Sequence, residues 1–186
     1  MSEMSAMIHC GTQLLNTERL TLRRFSPEDA PAMFAWSGDE RVSRYLRYQR
    51  HTDVDQAHEY LCHLEAPYCC DDYYHWAIVP RGGEPVGSVM LSVASEYDRI
   101  LETSYCLRRE AWGNGYCTEA LGAVLSLAFR AIGANRVQAA HAAENPASGA
   151  VMRRCGMQYE GMARQYFYNG EAFSDCHLYA VLKSDQ

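Results

Sequence analysis

Arg109-Glu110-Ala111-Trp112-Gly113-Asn114-Gly115-Tyr116-Cys117-Thr118-Glu119-Ala120-Leu121 places two glycines one residue apart between a strand-like run and a long helical one. A glycine-bearing loop that opens a helix leaves several backbone N–H groups unpaired and aimed at one spot, where an anion can be held. A phosphate-bearing cofactor is the natural occupant. Two nucleotide motifs fail here. A dinucleotide fingerprint wants a third glycine at position 118, which is Thr118, and a P-loop wants Gly-Lys-Ser/Thr after four spacers, which is absent. Gly113 and Gly115 also suit an ordinary strand-to-helix turn, so the loop by itself leaves both readings open.

Beyond the loop, Cys117, Ala120, Leu121, Val124, Leu125 and Ala128 recur at helical spacing until Gly133 supplies a stop. Before it, three strands are predicted at Tyr74 to Pro80, Pro85 to Val93 and Ile100 to Leu107. Arg81-Gly82-Gly83-Glu84 turns the first pair and Glu96-Tyr97-Asp98-Arg99 the second, which makes an antiparallel meander. After Gly133 come a short strand at Arg136 to His141 and a helix opened by Asn145-Pro146 and closed by Gly156. Strand material follows around Met157 to Tyr168, with Asn169-Gly170 as a turn, and again at Cys176 to Leu182.

Nearer the N-terminus, Arg19-Leu20-Thr21-Leu22-Arg23 alternates like a half-buried strand. Ser26-Pro27-Glu28-Asp29 starts a helix that Gly38 can stop, and a second helix is predicted from about Val54 to Glu65, capped by Thr52 or Asp53. The Tyr68 to Asp72 stretch reads as a loop. The strand, helix, strand crossover from Leu107 to Val137 requires a parallel neighbour within an otherwise antiparallel sheet. The class is therefore mixed α/β, with seven strands expected.

A chain of 186 residues builds one domain with a core large enough to need no staples. Residues 1–14 are expected to form a flexible segment and 15–186 the domain. With 48% hydrophobic and 22% charged residues, disordered and fibrous readings are excluded. A net charge of -6 argues against a nonspecific nucleic-acid binder and leaves a basic or amine-bearing partner open. The eight cysteines form no Cys-x-x-Cys pair, so no zinc site is expected, and reduced thiols in a cytoplasmic protein fit best. No segment reads as a secretion signal or membrane span. Nothing in the sequence separates a monomer from a homodimer.

This order of elements, with Gly-x-Gly opening the central helix and Asn145-x-x-Ser148 the next, resembles the GNAT superfamily of acyl-CoA-dependent N-acetyltransferases. The details are similar to the branch containing the ribosomal-protein N-terminal acetyltransferases: Trp112-Gly-Asn-Gly-Tyr-Cys-Thr-Glu-Ala120, Asn145-Pro-Ala-Ser148, Gly156-Met157, Glu160-Gly161, and Asp175 before the final strand. The likeness runs from about Leu15 to Leu182. It implies a mostly antiparallel mixed sheet with helices on both faces and a cofactor cleft at the parallel crossover. It also implies that Cys106 and Leu107, ending the strand, offer backbone to the pantetheine arm. The N–H groups of Trp112, Gly113, Asn114, Gly115, Tyr116, Cys117 and Thr118 would then hold the pyrophosphate. Glu110 stands where the superfamily often has Gln or Arg.

Acetyl transfer to an amine needs a deprotonated nucleophile, a stabilised oxyanion and a proton for the departing thiolate. Glu160, on a strand that lines the cleft in this fold, is the first candidate for the base, although a salt-bridged surface carboxylate would look the same. Relatives often carry a tyrosine acid seven residues after the helix-opening Asn, where this chain has Met152. Ser148 is the substitute expected to protonate the sulfur, against the alternative that it bonds its own backbone. Asn145 caps its helix and, by the resemblance, also bonds the pantetheine arm. His141 reads as a satisfied histidine and Cys117 as a packed thiol. Substrate determinants would fall among Trp36, Arg44, Tyr45, Arg47, Tyr48, Tyr73, Tyr74, Tyr166, Phe167 and Tyr168, which do not choose an acceptor.

The expected activity is transfer of an acetyl group from acetyl-CoA directly to a primary amine, on a protein N-terminus or a small molecule. The donor is the only cofactor expected, with no metal, nucleic acid or membrane partner. A noncatalytic acyl-CoA-binding module is the competing reading.

Overall fold

The computed structural model describes residues 6–47, 49–170 and 172–186. Eight strands form one sheet: β1 (Leu15–Asn16), β2 (Leu20–Arg23), β3 (Tyr74–Pro80), β4 (Gly87–Ser95), β5 (Ile100–Leu107), β6 (Arg136–Ala142), β7 (Gln158–Tyr168) and β8 (Phe173–Leu182). Their spatial order is β1-β2-β3-β4-β5-β6-β8-β7. The strand beyond the seven expected is β1, whose two residues are too few to leave an alternating pattern. The helices are α1 (Ala30–Ser37), α2 (Glu40–Ser43), α3 (Val54–Cys62), α4 (Tyr116–Leu127) and α5 (Pro146–Arg154). Among the described residues none is long and apolar enough to cross a membrane.

Both faces of the sheet are covered, and β3 shows how. Tyr74, Trp76 and Ile78 join Ala120, Leu121, Val124 and Leu125 of α4 in the larger core. Ala77 and Val79, pointing the other way, meet Met33 and Trp36 of α1 and Ala57 and Leu61 of α3 in the smaller one. Such two-sided burial explains why this strand reads as a continuous apolar run. The end of α4 widens into a π-turn over Ala128–Ile132, and Gly133 stops it at φ 81°.

The feature that positions the site is the contact between β5 and β6. These strands run parallel and pair only at Ile100↔Arg136, Leu101↔Val137 and Glu102↔Gln138. Past Glu102 they part, β5 continuing to Leu107 and β6 to Ala142, so a wedge opens toward their C-terminal ends. A ligand crevice at the carboxyl ends of diverging parallel strands is the expected consequence of such a crossover.

Part of the N-terminal segment lies against the domain. Residues 1–5 lie outside the described residues, but those from Met7 onward are strapped to the sheet. Met7 is buried, and Thr12 Oγ1 donates to the Tyr73 carbonyl at 2.9 Å and accepts from the His75 N–H at 3.0 Å. Trp76 Nε1 donates to the Gln13 carbonyl at 2.6 Å. An irregular strap held by such single bonds carries no periodic pattern.

Candidate functional site

A 3-10 turn at Arg109–Ala111 leads from β5 into the glycine loop. Gly113 and Gly115 adopt φ 80° and 79°, in the left-handed region where a side chain is strained. Gly115 caps α4, and no side chain closes the helix. The first turn therefore keeps its N–H groups and the positive end of its dipole open to an anion. The loop is braced from behind. Arg19 Nη1 donates to the Asn114 carbonyl at 2.9 Å, Asn114 Nδ2 donates to the Ala111 carbonyl at 3.2 Å, and Trp112 Nε1 donates to the Leu107 carbonyl at 2.9 Å.

The open first turn of α4 faces a cleft of about 1490 Å³ that fills the wedge between β5 and β6. Residues 112–118 line it, together with Cys106, Leu107, Asn145 and Ser148. From Thr103 onward the β6-facing edge of β5 lacks a strand partner, which leaves backbone groups for an extended ligand. Opposite stands α5, where Asn145 Oδ1 accepts from the Ser148 N–H at 3.4 Å and Pro146 occupies the first helical position. His141 lies beneath Gly149, whose absent Cβ would sit 2.5 Å from the imidazole Nε2. His141 Nδ1 donates to the Ala142 carbonyl at 2.8 Å, and burial lowers the pKa of the ring.

Eleven of the twelve sequence-predicted residues thus share one cavity, and Glu160 is the exception. It lies on β7, separated by β8 from the N-terminal end of β6, where Arg136 Nη1 donates to its Oε1 at 2.6 Å and Arg136 Nη2 to its Oε2. That bidentate pair holds its carboxyl below the ordinary range, so Glu160 is a surface ion-pair partner at the end of the sheet away from the wedge. The carboxylate that does line the cleft wall here is that of Glu102, which accepts from Gln138 Nε2 at 3.1 Å where the two strands part. The signal for it was the polar face of β5, along which Glu102, Ser104 and Cys106 alternate with Leu101, Thr103, Tyr105 and Leu107.

Tyr105 was also missed. Its hydroxyl spans the wedge, donating to the Ser148 carbonyl at 2.8 Å and accepting from Ser148 Oγ at 3.1 Å. Burial pushes this phenol well above its usual pKa, so it stays protonated. Met152, one turn further along α5, is buried in the larger core. Cys117 is a packed thiol, pushed far up by burial. Arg153 is spent on Tyr179 Oη at 2.8 Å. Tyr48 lies outside the described residues. Among those described, no cluster of three His, Cys, Asp or Glu side chains is poised to hold a metal.

The acetyltransferase (GNAT) domain family matches residues 19–158. The chain belongs to this family. It is 30% identical over 171 residues to the uncharacterized N-acetyltransferase YoaA of Bacillus subtilis, covering 91% of this chain and 97% of that one. A GNAT-family acetyltransferase structure from Bacillus anthracis superposes with a TM-score of 0.82 at 22% identity, over 92% and 99% of the two chains. The microcin C7 self-immunity acetyltransferase MccE, solved in complex with acetyl-CoA and AMP, gives 0.78 at 15% identity over 89% and 93%. The family's members are acyl-CoA-dependent N-acetyltransferases, and this chain is one of them.

Proposed function

We propose that the chain transfers the acetyl group of acetyl-CoA directly to a primary amine, on a protein N-terminus or a small molecule. The observation that carries this reading is the uncapped N-terminus of α4 opening onto a cleft that also exposes a free strand edge, a carboxylate and a hydroxyl pair. Those features fit acyl-CoA. Residues 112–118 would hold the diphosphate through backbone N–H groups, and the edge of β5 and Asn145 would hold the pantetheine arm. When bound, acetyl-CoA supplies the thioester acyl group and a thiol leaving group.

The chain's own residues divide the remaining work. Glu102 attracts the amine as its ammonium and takes its proton, directly or through a water. Free backbone N–H groups along the unpaired edge of β5 stabilise negative charge on the acyl oxygen. Ser148 Oγ, whose hydrogen points to Tyr105 Oη in the open cleft, turns it to the departing sulfur, and the proton it gives up is replaced from solvent as the products leave. A thiolate leaves readily, so this last role contributes less than the positioning of the amine. Cys117 has no part, because a thiol raised so far by burial is not a nucleophile near neutrality.

The test is thiol release from acetyl-CoA against a panel of peptide N-termini and small amines. The reading requires amine-dependent release with at least one of them. Tight CoA binding without release across the panel would leave a noncatalytic acyl-CoA-binding module instead.

A further inference from the structure

On the face of the sheet opposite α4 the cleft continues as a recess against α1 and α3. Two rows of paired residues form its floor: His75 of β3, Met90 of β4 and Ser104 of β5 stand side by side, as do Ala77, Ser88 and Cys106. Partners in register point to the same face, so His75 shares the side of the sheet on which Glu102, Ser104 and Cys106 project. All of these except Ala77 line the cavity. From α1 and α3, Trp36 and Tyr60 complete the wall.

Two polar tips in this recess are unused. His75 is 2% exposed, its Nδ1 meets Tyr73 Oη at 3.4 Å, and its Nε2 has no hydrogen-bond partner among the described residues. Tyr60 is 36% exposed, its ring meets that of His75 edge-on at 6.4 Å, and its hydroxyl likewise has no partner there. Both tips border the cavity with hydrogen-bonding capacity to spare, which a ligand seated there can complete. The floor at His75 is aromatic, while Arg41, Arg44, Arg47, Glu102 and Glu144 also line the cavity. Phe25 lies 5.0 Å from the His75 ring, and burial alone holds that imidazole at about 3, with no ionic group acting on it.

We propose that this recess is the acceptor's specificity pocket and that it selects a primary amine carrying an uncharged aromatic ring with a hydrogen-bonding tip, read by Tyr60 and His75. The inference rests on the acetyl-transfer reading above, which places the reacting amine beside Glu102 and Ser104. His75 lies two strands from β5, a lateral distance of about 10 Å. An arylalkylamine spans it, with the amine at β5, the ring between Trp36 and Tyr60, and the polar tip at His75. A second ammonium or a phosphate pressed onto the His75 floor itself would find no counter-charge there and would lose its hydration, which disfavours polyamines and phosphorylated amines at that position.

The experiment measures binding and turnover separately. Tyramine, phenethylamine, agmatine and phosphoethanolamine are titrated against the CoA-bound protein by calorimetry, and each is assayed with acetyl-CoA for thiol release. Tyramine is expected to bind about tenfold more tightly than agmatine or phosphoethanolamine. His75→Phe and Tyr60→Phe should each raise the tyramine Kd about fivefold while leaving phenethylamine and CoA affinities within about twofold. Tyr60→Phe, on the surface helix α3, keeps the test open should His75→Phe fail to fold. Tighter binding of a charged amine, no binding of any ring-bearing amine, or an unchanged tyramine Kd in a folded variant overturns the pocket. Ring-selective binding without thiol release upholds the pocket and overturns the acetyl-transfer reading, so the two failures are distinct.

Discussion

Arg19 is clasped by Glu119: its Nε donates to Glu119 Oε2 at 2.7 Å, and its Nη2 lies 2.6 Å from the same oxygen. The other carboxylate oxygen accepts from Thr17 Oγ1 at 2.6 Å and from the Arg19 N–H at 2.8 Å. Through Arg19, which also holds the Asn114 carbonyl and stacks over Tyr116 at 5.2 Å, this clasp ties the entry of β2 to the glycine loop. Burial acts to raise the Glu119 pKa, but the bonds from Thr17 and Arg19 outweigh it and hold the carboxyl below its ordinary value.

The sign of the resulting pH dependence follows from that lowering. A folded pKa below the unfolded value of about 4.3 contributes stability that is fully present at neutral pH, and that is lost as pH falls through the folded pKa. Glu119→Gln should therefore destabilise the protein by about 2 kcal/mol at pH 7 and less at low pH. Urea unfolding at several pH values reads this directly, and an equal loss at all pH values would contradict it. Because the clasp supports the loop, CoA affinity should fall together with stability.

Gly115 is held at φ 79°, and Arg19 Nη2 would lie 3.4 Å from any Cβ placed there. Gly115→Val should raise the CoA Kd about tenfold or more, since a β-branched residue resists that backbone and screens the first turn of α4. An unchanged Kd in a folded variant would remove the loop from the binding site.

Ser148→Ala and Tyr105→Phe break the same hydroxyl pair. Each should lower kcat by about tenfold with CoA affinity within about twofold, and the double variant should lose little more than either single one. Additive losses, or losses confined to CoA binding, would make the pair structural.

The two glutamates give a sharper contrast. Glu102→Gln should reduce kcat/KM for the amine by about a hundredfold without altering CoA binding. Glu160→Gln, which only breaks the pair with Arg136, should leave kcat/KM within about twofold. The reverse pattern would return Glu160 to the chemistry.

Gly149 packs on His141 so closely that Gly149→Ala sets a methyl 2.5 Å from Nε2 and 3.1 Å from Cδ2 of a buried ring. The variant should lose about 2 kcal/mol of stability, visible as a lower Tm, because His141 must shift under α5. An unchanged Tm would mean that the helix moves freely on the sheet.

Local chemistry made much of this legible in the sequence. Gly115, Tyr116 and the spacing of Ala120, Leu121, Val124 and Leu125 announce the loop and helix within a dozen residues, and Asn145-Pro146 announces α5 in the same way. What stayed hidden depends on residues far apart in the chain. Tyr105 and Ser148 are 43 residues apart and meet only because β5 and β6 diverge. Glu160 looked like a cleft residue until β8, inserted between β6 and β7, set Arg136 within its reach. The recess under Tyr60 and His75 needed the register of three strands, which no single segment carries.

The most direct measurement follows isotope-labelled acetyl-CoA into product. Incubated with the wild-type protein and a primary amine, the label should appear as an amide on that amine, and the yield should collapse with Gly115→Val and with Glu102→Gln. Label that stays on CoA for every amine offered, while CoA binds tightly at the glycine loop, would contradict acetyl transfer in this cleft.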